Sequence, residues 1–306
     1  MNLSLYGQIA LAQAPRVLGL CDRDAASATY GCFDRHYWHY KLLDLANVRY
    51  QEAALFLALL YKGDHAPWRL DPKVREWSLA AVRFWGGLQQ RNGSFDEVYP
   101  FENSFCATAF STWAVTEALL ALNAPGDSRV LERAGEWLLR HDNPDVANQR
   151  AAAVLALQNL VHLTGRDTFR AGAESKTALL LASQDSSGYF PEYGGGDAGY
   201  QSLTLACMAR YMRKAGRDDL TAALQNGAAY VAHRIDSLGR FVQNTGSRRT
   251  QFLFPSGFAL LGRNDVIEKH GCGVESGQTL QPGWMDDRYC IGLATDYLLA
   301  SREGTV

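Results

Sequence analysis

Residues 89–120 read "QQRNGSFDEVYPFENSFCATAFSTWAVTEALL", a polar turn that runs straight into an apolar helix. Asp96, Glu97, Tyr99, Glu102 and Asn103 stand between the glycine of the turn and the first helical residues. One Ser, Thr, Asp or Asn is enough to cap a helix start. The surplus of acids and aromatics therefore has another cause.

The same grammar recurs along the chain. "TYGCFDRHYWHYK" (29–41), "SGYFPEYGGGDAGY" (187–200) and "LGRFVQNTGSRR" (238–249) each carry Gly, one residue and Phe, then a polar and aromatic loop. Helical segments follow: "YQEAALFLALLY" (50–61), "FCATAFSTWAVTEALLAL" (105–122) and "YQSLTLACMARYMRKAG" (200–216). Two more, "VANQRAAAVLALQNLVHL" (146–163) and "DRYCIGLATDYLLA" (287–300), lack the Gly-x-Phe lead, and a short one is expected near 255. Starts therefore recur roughly every 50 residues, the length of two helices and their turns. Further helices are read at 72–90, 127–140, 168–184 and 217–235 between Asp, Asn or Pro starts and Gly stops. The first set is rich in Ala, Ser, Thr, Leu and aromatics, whereas "DPKVREWSLAAVRFWGGL" and its kin are charged and amphipathic. That contrast predicts an inner ring of helices inside an outer one. The fold class read from it is all-α, an α/α toroid of five to six helical hairpins forming one domain over residues 1–306. Only "RFVQ" and "QFLF" tempt a strand reading.

With 306 residues, 47% hydrophobic, the chain has ample apolar mass for a core. A net charge of −2 gives no long-range attraction for nucleic acid or an anionic membrane surface. No run reaches the ~18 apolar residues of a membrane span. "MNLSLYGQIALAQA" lacks the basic start of a signal peptide, so a cytoplasmic location is expected. Six cysteines without CxxC spacing read as reduced thiols rather than a disulfide framework or a zinc site. No metal and no cofactor is expected.

"GLQQRNGSFDE" and "LLASQDSSGYFPEY" resemble the Q-x-x-x-G-x-[FW] turns between hairpins in the α/α toroids of terpenoid cyclases and protein prenyltransferases. "GYFPEYGGGDAGYQSLTLACMARY" and "YGCFDRHYWHYKLLDL" resemble the helical domain of heparinase II/III-type polysaccharide lyases and related bacterial surface-polysaccharide biosynthesis proteins. The resemblance spans most of residues 20–300 and implies an α/α toroid acting on a glycan. The acidic motifs of terpenoid cyclases are absent, which sets isoprenoid cyclisation well behind carbohydrate chemistry.

A toroid answers the opening question. If the inner helices run parallel, their N-termini open together, and their free N–H groups and positive dipole ends favour anions. The polar loops then share one rim, where aromatic faces stack sugar rings and polar groups bond hydroxyls. Candidate catalytic residues are His36, His39, Tyr193, Tyr200, Glu102 and Glu192. Candidate substrate contacts are Asp34, Tyr37, Trp38, Tyr40, Glu97, Tyr99, Asn103, Asp197, Arg248 and Arg249. Simpler roles compete: Gly-x-Phe as a turn with a plug, Asp96 or Asn103 as caps, and "HYWHYK" as an aromatic cover. His65, His141, His162, His233 and His270 read as packing or surface residues, and "GVESGQTLQPGWMDD" (273–287) as a loop over the cavity.

Three functions fit these residue types. The first is proton abstraction at C5 of a uronate, by a lyase or epimerase acting on an acidic oligosaccharide or polysaccharide precursor. Arg and Asn would neutralise the carboxylate while Tyr or His moves the proton. The second is hydrolysis by a carboxylate pair drawn from Glu97, Glu102, Glu192 and Asp197. The third is non-catalytic glycan binding or assembly.

Overall fold

Several of the helices begin where the sequence supplies a side-chain oxygen for their free N–H groups. In the computed structural model, which describes residues 3–64, 67–243, 246 and 248–303, Ser104 Oγ accepts from Ala107 N. Asp127 likewise caps Arg129 and Val130, and Asp71 caps Lys73 behind Pro72. Each such cap contributes about 1 kcal/mol. Helices end at left-handed Asn123, Gly165 and Gly216. His65 lies outside the described residues.

The helices are α1 (Leu3–Ala12), α2 (Ala14–Leu20), α3 (Arg35–Trp38), α4 (Ala53–Lys62), α5 (Pro72–Gly87), α6 (Phe105–Leu122), α7 (Ser128–Arg140) and α8 (Ala147–Thr164). There follow α9 (Asp167–Ala182), α10 (Ala198–Ala215), α11 (Thr221–Ala232), α12 (Ser256–Leu260), α13 (Asn264–Glu275) and α14 (Asp287–Glu303). Helix makes up 63%, and among the described residues there are isolated bridges such as Phe95–Ser104 and Ile235–Phe241 but no strand. "RFVQ" and "QFLF" therefore supply one bridge and extended backbone.

Packing follows the two helix types. α4 packs on α6, α6 on α8, α8 on α10, α10 on α12, α12 on α14, and α14 returns to α4. The interleaved, more amphipathic helices pack against these: α5 lies on α4, α7 on α6 and α8, α9 on α8, α11 on α10, and α13 on α12. α1 lies on α14, so the chain's first helix completes the pair begun by its last. α8 buries every residue from Ala147 through Val161, whereas α7 buries only the stripe Leu131, Ala134, Gly135, Trp137 and Leu138. A helix enclosed on all sides is apolar or small all round; one facing water needs a single apolar stripe. α6 is long and apolar enough to cross a membrane but is mostly buried among its neighbours here.

The Gly-x-Phe turns clamp the two helices of a hairpin together. Gly31, Gly93, Gly188 and Gly239 all have positive φ. A Cβ on Gly93 would stand 2.2 Å from Arg133 O of α7, and one on Gly188 2.5 Å from Asn226 O of α11. Only glycine tolerates both the backbone angle and the approach. Gln89 Nε2 donates to Gly93 O and to Val130 O of α7; Gln184 Nε2 repeats this with Gly188 O and Ala223 O of α11. On the other side, Phe33 N donates to Gln51, Phe95 N to Thr108 and Phe190 N to Gln201, just before or on the next inner helix. The three phenylalanine rings are fully buried.

Candidate functional site

A cavity of about 390 Å³ opens among the N-terminal ends of α6, α8, α10 and α14. From α6 come Cys106, Phe110 and Trp113, at i, i+4 and i+7 on one face, so the cavity descends two turns along that helix. Asn148 and Gln149 come from the first turn of α8, Tyr200 and Leu203 from α10, and Arg288, Tyr289 and Gly292 from α14. Arg49 and Glu52 precede α4, and Phe254 precedes α12. The loops before α6 and α10 add Glu97, Val98, Glu102 and Tyr193, and Arg248 closes the rim.

Charges in this chamber are mostly matched. Arg49 Nε donates to Glu52, its Nη1 donates to Cys106 Sγ, and its guanidinium lies 4.4 Å from the Phe110 ring centre. Burial works against the Arg49 charge, but Glu52 outweighs it and holds its pKa above the usual value. Burial pushes the Cys106 thiol up to about 11 despite Arg49, so it is a neutral lining group. Arg288 Nε stands 3.8 Å from Glu97 Oε1 and lies over the Tyr289 ring at 4.2 Å. Arg248 lies 4.5 Å over the Tyr193 ring and has no carboxylate partner among the described residues. The lining carries three arginines and three carboxylates, Glu52, Glu97 and Glu102, so its attraction for an anion rests on the exposed Arg248 and on the helix N-termini.

The Tyr200 and Tyr289 hydroxyls are 2.9 Å apart. Burial first, then that hydrogen bond, raises Tyr200 well above the ordinary phenol value. Tyr200 therefore keeps its proton at neutral pH. Phe110, Trp113, Tyr193 and Tyr289 supply aromatic surface, and Trp113 Nε1 is buried without a hydrogen-bond partner in the structure.

Of the residues singled out from sequence, Glu97, Glu102, Tyr193, Tyr200 and Arg248 come together here. Glu102 Oε2 also accepts from Glu97 N (2.9 Å) and Val98 N (2.8 Å), shaping the loop. Glu192 is buried behind the lining: it accepts from Asn148 N and Nδ2 and from Thr204 Oγ1, orienting the start of α8. Burial raises its pKa to about 8, against the pull of those donors. Asp197 caps α10 through Tyr200 N and ties down Thr250. Asn103, at φ 52°, accepts from Asn92 and Ser94. Asp96 accepts from Phe101 N, Asn103 N and Gln90, so part of the acidic excess before α6 holds the loop. Tyr99 and Arg249 are exposed and do not line the cavity.

The segment 34–40 is placed apart from the chamber. Asp34 is buried and accepts from His36 N and Asn47 N, which caps the start of α3 and ties it to the loop before α4. Trp38 Nε1 donates to Leu20 O, Tyr37 packs on Phe84 of α5, and His39 is exposed between Trp38 and Tyr40. His36 and Tyr40 line a separate cleft. Among the single histidines, His270 is buried against Tyr6 and Tyr297, and burial lowers it to about 3; His141 stacks on Trp137 at 4.1 Å. Both are packing residues.

Sequence reasoning passed over Arg49, Glu52, Cys106, Trp113, Asn148, Gln149, Arg288 and Tyr289. Six of the lining residues (Cys106, Asn148, Gln149, Tyr200, Arg288, Tyr289) occupy the second or third position of α6, α8, α10 or α14. That register was a usable signal.

No protein-family model matches the chain, and no curated protein matches it. A solved chain described as "Crystal structure of a protein from Actinoplanes" is similar at 18% identity and TM-score 0.48, over 84% of this chain and 90% of that one. At that level the likeness assigns neither fold family nor activity.

Proposed function

We propose that residues 1–306 form one α/α toroid whose chamber takes a uronic-acid-containing glycan or precursor and abstracts the proton at C5, as a lyase or an epimerase. The cyclic succession of inner helices, each with an outer partner, supports the toroid. The observation that carries the chemistry is the Tyr200–Tyr289 hydroxyl pair in a chamber that also holds Arg248, Arg288 and aromatic walls.

A proton next to a carboxylate leaves only when the growing negative charge is neutralised. Arg248, with no carboxylate of its own, and Arg288 at the start of α14 are suited to that role. Tyr200, held protonated, acts as the acid: toward the leaving oxygen in elimination, toward C5 in epimerisation. The base falls to Tyr193 or Glu102, which share the chamber. Glu192 and Asp197 act as positioning residues for α8 and α10. A second reading, hydrolysis, is favoured by one observation, that Glu97 and Glu102 both line the cavity.

Incubation with a panel of acidic oligosaccharides in D₂O separates these readings. Elimination gives new absorbance near about 232 nm, and epimerisation gives deuterium at C5. Hydrolysis gives new reducing ends and neither signal. Retention of the sugar with none of the three would make the protein a glycan-binding module and refute the proposal.

A further inference from the structure

The segment with Arg35, His36 and Tyr40 walls a second cleft of about 280 Å³, together with Arg16, Tyr50 and Asp287. Two pairs of consecutive residues divide it from the chamber. Arg49 and Arg288 face the chamber, while their neighbours Tyr50 and Asp287 face the cleft. Consecutive Cα atoms lie about 3.8 Å apart, so one layer of chain separates the two spaces.

The charge in this cleft is unbalanced. Asp287 is already matched by Arg16, whose Nε donates to Oδ1 at 2.7 Å. Arg35 makes no ion pair among the described residues, and its Nε is buried without a hydrogen-bond partner. Its guanidinium lies 5.0 Å from the centre of the Tyr40 ring, a π face rather than a carboxylate partner. A buried donor left unmade is costly, and a planar guanidinium is met best by a two-oxygen anion. His36, half exposed, also lines the cleft, with its Nδ1 3.9 Å from Asp34 Oδ1.

We infer that this cleft is an oxyanion subsite that receives the acidic group of the sugar next to the one in the chamber, so that the protein reads a chain of acidic residues rather than a single one. The inference rests on the acidic-glycan reading above. It gives the "DRHYWHYK" loop, which does not reach the chamber, a role in substrate length.

Calorimetric titration of the full chain with galacturonate and its di-, tri- and tetramers tests it, beside Arg35→Met, Arg35→Lys and inorganic phosphate. The wild-type protein should bind the oligomers roughly tenfold or more tighter than the monomer, the worth of one charge-assisted contact. Arg35→Met should erase that gain and leave monomer affinity unchanged, with Arg35→Lys recovering part of it; melting curves report that both variants fold. Monomer binding with no gain on lengthening overturns the subsite and leaves the chamber reading standing. An equal loss for monomer and oligomer in Arg35→Met also overturns it. Failure to bind any uronate overturns both. Arg35-dependent binding of inorganic phosphate without a length gain makes a phosphate group the occupant and overturns the glycan extension.

Discussion

Gly93→Ala should destabilise the protein far more than Gly165→Ala, although both glycines have positive φ. Gly165 sits at φ 71° with nothing within 4 Å of an added Cβ, so alanine there meets only the left-handed backbone penalty, about 1–2 kcal/mol. Gly93 sits at φ 100° with Arg133 O 2.2 Å and Arg133 C 2.8 Å from the added atom. Backbone of α7 cannot step aside like a flexible side chain. Strain of about 1–3 kcal/mol at such a φ adds to about 1–3 kcal/mol of overpacking. The total is about 4 kcal/mol, or a fall in melting temperature of roughly 8 °C for a chain of this size. Circular dichroism melts of the two variants beside wild type measure it. Equal shifts for both would refute the claim that close approach of the turn to its outer helix holds the hairpin.

Other consequences follow from single groups. Gln51 accepts from Phe33 N and donates to Gly31 O and Ala81 O, so Gln51→Leu should cost about 2–4 kcal/mol in a urea titration, because buried polar partners lose their bonds. Glu192 is raised from 4.5 to about 8, so the fold holds its proton where the unfolded chain has lost it. Stability should therefore fall as pH rises from about 4.5 through about 8, by at most about 1.4 kcal/mol per unit. Glu192→Gln should flatten that slope in pH-dependent melts. Tyr200→Phe should slow turnover about 100-fold or more with little change in affinity, as loss of a general acid does. Arg248→Ala should weaken acidic-sugar binding by a few-fold, about 1 kcal/mol, since its exposed guanidinium is screened by water. Kinetics over a range of substrate concentration separates the two effects.

Helix type and order were legible because burial on all sides and burial on one stripe demand different residues. "VANQRAAAVLALQNLVHL" and "SRVLERAGEWLLR" show the two demands side by side. The Gly-x-Phe repeat was legible because one geometric problem, a tight turn pressed against the outer helix, admits one residue at each of four places. The site was legible only in its loops. Arg49, Arg288 and Tyr289 escaped notice because a residue at or just before the start of a buried helix looks like any other helical residue until the helices are packed together. His36 and His39 drew attention as a pair, but Asp34 spends both oxygens on backbone N–H groups and none of residues 34–40 lines the chamber. Glu192 shows the reverse case, an acid in the loop before α10 whose partner Asn148 is in the first turn of the earlier helix α8.

On the proposed reading an acidic sugar sits among the N-termini of α6, α8, α10 and α14 with its carboxylate on Arg248 or Arg288. A crystal soaked with a uronate disaccharide tests this most directly. The account predicts a carboxylate bonded to Arg248 or Arg288, with C5 or the glycosidic oxygen within about 3.2 Å of the Tyr200 hydroxyl. A sugar bound elsewhere, or in the chamber with its carboxylate turned away from both arginines, would contradict it.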